Sequence, residues 1–584
     1  MRIHESTRYH RAEGRAGAAV LASFAMVAVS LTFSPQASAV AASGTTPAST
    51  PTCTPIPAAD GNEPLCNPFL ADSPWPAAQR NSYAQGSSPL PGPTGPADRI
   101  GVSQVGATGA PVFINFSPEY PDGKRVIWAS TVGFTGEILK IDPETNQLID
   151  KYVPGLEGGN AFVRPGVSGA YNLVDADNRF IVGTGDSIQI FGDVDPDERS
   201  SSIARLHVFE LPEQARCGDD ELVGITMTYD GRVAFATKNG IVGTVARSPE
   251  AMNADSLRIL SINGTDCASL PADAREDVSN SIAADEDGGI FVVTSGALYR
   301  FDEDQDGLEQ VWRTEYQGAG LTGAGRLGGG SGSTPSLMGT GAGDDRFVVI
   351  TDGQEQVHLD LMWRDEIPAD WEPIRPGADP RIACEVPITY GQAPGSPSLS
   401  EQSVLVRGNS AVVVNNFQGL NSVLSLVPAQ LQTFTQLLSG LPGNVPRGIE
   451  RVDWNPETRE CDTVWSNPDV SIPNGIPTMS VATNMFYGIG ARGGVWTLEG
   501  LDFDTGEVTL TVPTTPLPTS NSFYAATTIG PDGSIFTGTF GGMTRFRQCA
   551  ANEPCERLGP VEAAVGQVPL KPEPLLRYLF GLPN

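Results

Sequence analysis

The chain has 584 residues and carries 37 Lys and Arg against 68 Asp and Glu, a formal net charge of −31 at pH 7. A surface this acidic repels phosphate backbones and anionic lipid, which argues against nucleic acid and anionic membranes as partners and leaves cationic ligands and divalent metals electrostatically open. The simplest reading of the charge is that it keeps an exported protein soluble.

Export is read from the first residues. Arg2, Arg8, Arg11 and Arg15 supply a basic start, residues 17–33 are an uncharged apolar run, and Ala37-Ser38-Ala39 fits a small-residue cleavage site. Residues 1–39 are therefore expected to be a signal peptide. Retention as an anchor is the alternative, but the run is short for a bilayer span, and no later segment is long and apolar enough to make one. Residues 40–110 are rich in Ala, Ser, Thr, Pro and Gly and read as a loop-rich extension. The eight cysteines, Cys53, Cys66, Cys217, Cys267, Cys384, Cys461, Cys549 and Cys555, all follow the signal, and an even count in an exported chain points to disulfides. Pairing of sequence neighbours is the simplest assignment: Cys53–Cys66, Cys217–Cys267, Cys384–Cys461 and Cys549–Cys555. No CxxC pair or His-rich cluster suggests structural zinc.

From about residue 111 short β-branched and aromatic runs alternate with Gly, Asp, Asn and Pro turns. Such runs begin at 126, 180, 233, 290, 347, 411, 485 and 535, spaced 50 to 74 residues apart. That spacing fits a four-stranded propeller blade with its loops, and radial stacking buries both faces of each sheet. Residues 111–549 are thus expected to form one all-β propeller of eight four-stranded blades, or seven if one unit is irregular. PVFINF at 111–116 is expected to complete the last blade and close the ring, and residues 550–584 follow as a tail. Separate β-sandwiches would also give short strands, but no linker divides 111–549. The best helix candidate is 428–440, with Pro428 at its first turn and Gly440 as terminator.

The turns carry a second pattern. Gly500, Asp502, Thr505 and Gly506 stand in register before the strand TLTV, where Leu510 occupies a position that the pattern gives to Trp. Asp142-Pro-Glu-Thr145, Asn455-Pro-Glu-Thr458 before Trp465, and the turn Asp302 to Gly307 before Trp312 are weaker copies. This resembles the repeat of quinoprotein alcohol dehydrogenases and their non-enzymatic propeller relatives, over most of 111–549. The resemblance implies the propeller fold and does not bring an activity with it. The enzymes hold a quinone near a calcium ion, a stacking Trp and a disulfide between adjacent cysteines. This chain has no adjacent cysteines, and no quinone or calcium ligand can be placed on a matching residue. No cofactor is therefore expected.

Other chemistry is sparse. Asp302, Asp304, Asp306 and Gly307 open like a calcium loop, but the twelfth position is Arg313 where a bidentate carboxylate is needed. A blade hairpin explains the same residues, so bound calcium is the secondary reading; Asp193, Asp195 and Asp197 form a similar acidic turn. Gly323, Gly325 and Gly328 spell GxGxxG without the following helix that a dinucleotide site requires. After the signal only His207 and His358 remain, both in strand-like runs, and no nucleophile signature accompanies them. The least ordinary stretch is 326–374, where Asp352, Trp363, Arg364, Asp365, Glu366 and Trp371 gather around one unit after a Gly/Ser loop. Asp352, Trp363 and Arg364, with Asn415 and Asn416 of the next unit, are the candidate ligand contacts. The competing reading buries the tryptophans between blades and pairs Arg364 with a carboxylate. The sequence thus points to a secreted binding or scaffold module whose partner is an extracellular small molecule, a glycan or an envelope protein. An extracellular enzyme, either a quinoprotein-like oxidoreductase or a carboxylate-based hydrolase of a sugar or lactone, is the alternative.

Overall fold

In the computed structural model the β-branched runs become antiparallel four-stranded sheets, eight in all among the described residues. The structure describes residues 53–558 apart from 134–135, 154–168, 272–273, 305–306, 319–325, 327 and 428–432. The expected signal peptide, Asp306, Gly323, Gly325, Pro428 and most of the tail lie outside the described residues. The blades span 109–152, 172–210, 222–261, 283–315, 336–387, 405–467, 478–513 and 527–548, numbered 1 to 8 below. Each of the eight runs read from the sequence is the second strand of its blade. Gly289–Val293, Phe347–Thr351, Ser410–Val414 and Ile535–Thr539, for example, are buried at every position. The outermost strands alternate or face solvent, as in Gln147–Tyr152 and Leu308–Glu315. Neighbouring blades meet through aromatic contacts such as Trp128 on Phe180, with ring centroids 5.8 Å apart, and Phe116 on Phe536 at 5.6 Å.

The repeat-like turns share one physical logic. Asp142, Asn455 and Asp502 each accept backbone N–H bonds from the two residues that make the turn. The indole of Trp312 donates to the carbonyl of Arg364 in the next blade, and that of Trp465 donates to Phe503 in the next blade. Gly506 adopts a φ of +70°, and a Cβ there would strike the Trp465 ring, so this turn needs glycine twice over.

Ring closure differs from the expectation. Gly109–Phe116, which contains 111–116, is the innermost strand of blade 1 and is buried along its whole length. The outer edge of blade 8 is instead Ile100–Gly106, which pairs from Ile100 opposite Gln548 to Gly106 opposite Gly542. The reason lies in burial: an edge strand tolerates the half-exposed Ser103 and Gln104, whereas PVFINF suits a position covered on both faces.

The extension read as a loop-rich lead-in is a plug. Residues 75–88 cross one end of the channel and hydrogen-bond the end of successive innermost strands. Trp75 accepts from Phe116, Pro76 from Val174, Ser82 from Ala284, Tyr83 from Leu337 and Gln85 from Val406. Ser87–Ser88 then adds a parallel fifth strand to blade 7. Trp75 and Tyr83 are fully buried. Gln79 and Arg80 both hold positive φ, 54° and 88°. That strained step sends the Gln79 amide to Ser403 and Arg80 to Glu63, while Arg407 clamps Asp60 and Glu63.

All four cysteine pairs are the sequence-neighbour pairs. Cys384–Cys461 joins the outermost strands of blades 5 and 6. Of the helix candidate, 428–432 lie outside the described residues and Thr433–Leu438 is a 3-10 turn; a four-residue helix, Asn421–Leu424, precedes it. Among the described residues no helix is long and apolar enough to cross a membrane.

Candidate functional site

The channel has two chemically different ends. The plug end holds an ion-pair network. Arg364 follows the third strand of blade 5 and is 0 % exposed, and none of its three guanidinium nitrogens makes a hydrogen bond. It lies over the Tyr83 ring, 5.1 Å from the centroid, and 3.4 Å from Asp285. Burial pushes the Asp285 carboxyl up to about 6, against the pull of Arg364 and Arg300. Asp285, Asp287 and Asp365 are close enough to share a cation. Each is matched instead by an arginine: Arg364 on Asp285, Arg346 on Asp287 at 2.8 Å and Arg300 on Asp365 at 2.8 Å. Three guanidinium groups oppose a metal ion there, and the cluster pins the plug to blades 4 and 5.

The residues singled out from sequence do not converge. Asp352 and Arg364 flank opposite ends of the strand His358–Trp363, a separation of roughly 20 Å at 3.3 Å per residue. Asp352 accepts bonds from the Gln354 amide and the His358 backbone and faces the His358 ring at 3.0 Å. Trp363 is buried between blades 5 and 6 against Phe347, Trp371 and Trp454. Asn415 and Asn416 are buried too, and their side chains tie backbone groups of Leu399, Glu401, Arg447 and Pro473. Asp302 pairs with Arg300 at 2.8 Å, and Asp304 accepts from the backbone of Gly307, so both act as hairpin residues. His207 is bound to the Met252 carbonyl.

The other end of the channel carries what sequence reading missed. The residues just before the innermost strands of blades 2, 4, 5, 6, 7 and 8 meet there. Tyr171 stacks on Phe113 at 4.9 Å and sits beside Asn280 and Thr334. Glu401 is almost wholly buried and faces Arg326 at 3.7 Å. Phe523 and Tyr524 are consecutive aromatic residues at positive φ, 45° and 66°. Bulky side chains rarely adopt that conformation, and the surroundings impose it: Asn521 accepts from Phe523, Asn474 accepts from Tyr524, and Asn474 and Asn521 bond each other. Both asparagines also donate to the Gln436 carbonyl, which anchors the Thr433–Leu438 turn over the mouth. The Gln436 amide leans on the Tyr524 hydroxyl, and burial with the charge of Glu401 holds that hydroxyl well above its ordinary pKa. Gln402 is buried with both side-chain amide atoms lacking a hydrogen-bond partner. No sequence motif marks these positions, since they lie in different blades and become neighbours only when the ring closes.

No family model matches the chain. A protein of Archaeoglobus fulgidus, described as uncharacterized, is 49% identical over 484 residues, covering 83% of this chain and 89% of its own length. The chain belongs to the family of that archaeal protein. Among solved structures, the quinohemoprotein alcohol dehydrogenase ADHIIG from Pseudomonas putida HK5 is similar with a TM-score of 0.51 at 12% identity, covering 84% of this chain and 82% of that one. A second quinohemoprotein alcohol dehydrogenase, from Comamonas testosteroni, gives 0.48 at 12% identity, covering 82% and 80%. The likeness to the first of these is one of fold, the eight-bladed propeller. The donor set does not fit the cofactor of those enzymes. The disulfides join residues 6 to 77 apart in sequence, none of them adjacent. At the mouth the Glu401 carboxylate faces Arg326 at 3.7 Å.

Proposed function

We propose that this family is an exported binding module, and that the ligand is taken at the loop-bearing mouth of the channel. The observation that carries this is the strained Phe523–Tyr524 step, held by Asn474 and Asn521. Strain of this kind persists only where the surroundings enforce it, and it clusters at ligand clamps. Four disulfides and the signal-like start support an oxidising, extracytoplasmic location. The test is native mass spectrometry of the protein isolated from its own culture fluid. The reading expects a chain starting near Val40, eight oxidised cysteines and a non-covalent mass excess that Tyr524→Ala abolishes. An unliganded wild-type mass would count against it.

A further inference from the structure

From Gly408 to Pro446 the chain carries no charged residue, although 18% of the whole sequence is Asp, Glu, Lys or Arg. The run takes in the second strand of blade 6, Ser410–Val414, and the connection to its third, Ile449–Asn455. We propose that this connection is a docking tip that seats the ring on an electrically neutral lipid surface. The proposal goes beyond the reading of the mouth and needs no ligand there.

The polarity of the connection runs inside out. Gln418, Thr435, Gln436, Ser439 and Asn444 are buried, whereas Leu420, Val423, Leu426, Leu438 and Leu441 are 40–83 % exposed. A loop free to collapse would turn its leucines away from water. This one is braced. The Asn444 amide donates to the Leu438 carbonyl, and its Oδ1 accepts from the Leu420 N–H. Gly440 packs on Trp496 of blade 7, where a Cβ would come within 2.6 Å of the indole. The five aliphatic side chains are therefore held out in solvent, and such a concentration marks an interaction site.

Charge and area decide the occupant. A net charge of −31 repels anionic headgroups, and it equally repels a second copy of this chain. Five side chains also fall short of the roughly 800 Å² per partner that a stable protein interface buries. A bilayer asks for neither shape complementarity nor a charged rim. The leucines enter the boundary between headgroups and acyl chains, and Asn421 and Ser422 of the same tip lie at headgroup level.

The experiment is flotation of the full mature chain with phosphatidylcholine vesicles, alone or mixed with phosphatidylglycerol. Wild type is expected to float with the neutral vesicles and less with the anionic ones. Leu426→Asp and Val423→Asp should each lower the partition coefficient about tenfold or more. Both sites are exposed, so the melting temperature should stay within a few degrees of wild type. Val194→Asp, at a 70 % exposed valine of blade 2 outside the tip, should float like wild type. Failure of wild type to float would overturn the proposal, as would equal loss in Val194→Asp or flotation unchanged in both tip variants. A dimer in sedimentation that Leu426→Asp dissociates, without flotation, would assign the tip to a second copy instead.

Discussion

Arg364 shows how a single residue can carry two sequence readings. An arginine beside tryptophans suggests either a ligand contact or a pair with a carboxylate, and here it lies between Tyr83 of the plug and Asp285 of blade 4. Its neighbour gives a test with a defined sign. In the unfolded chain Asp285 ionises near pH 4, while the folded protein holds it protonated up to about 6. The stability contributed by the protonated form is fully present below pH 4 and is lost as the pH rises through 6. Asp285→Asn lacks this titration, so wild type should lose about 2 kcal/mol relative to the variant between pH 4 and pH 6.5, read from urea melts. A difference that does not change with pH would mean that Arg364 keeps the carboxylate ionised throughout. His358 titrates in the same sense. Burial lowers its pKa, but the hydrogen bond and charge of Asp352 outweigh that and raise it, so its contribution is lost as the pH rises past the ordinary histidine range.

At the scale of strands and turns, legibility followed burial. The second strands are buried on both faces and read as continuous β-branched runs, so all eight were visible in the sequence. Ile100–Gly106 was not, because an outer strand needs only intermittent apolar residues and this one sits in a Pro- and Gly-rich stretch. The plug was illegible for a related reason. Its role is carried by backbone hydrogen bonds to six blades, which leave no side-chain pattern. The turn before TLTV was legible through Asp502, Thr505 and Gly506, and it yields a sharp prediction. Gly506→Ala must accept a positive φ and displace the Trp465 ring. It should destabilise the protein by about 2 kcal/mol or more, measured by denaturant midpoint, and Trp465→Ala in the same chain should relieve part of that cost. Equal stability of Gly506→Ala and wild type would refute this account of the repeat.

The whole molecule is a ring fastened in three ways: by Ile100–Gly106 on blade 8, by the plug across the channel, and by disulfides. Cys384–Cys461 bridges blades 5 and 6 and closes a sequence separation of 77 residues. Replacing both cysteines with serine should lower stability by about 2–4 kcal/mol without altering the fold, as judged by circular dichroism. A fully oxidised protein should show no reactive thiol under native conditions, in line with the absence of free cysteine among the described residues. The site itself is a property of the closed ring, since Gln436, Glu401 and Tyr524 come from separate parts of the chain and share no local motif. The most direct test of a ligand-binding mouth is therefore an experimental structure of the protein purified from its own host. The account predicts non-protein density against Gln436, Tyr524 and Phe523. Density there no larger than single waters, or a ligand seated at the Arg364 end, would contradict it.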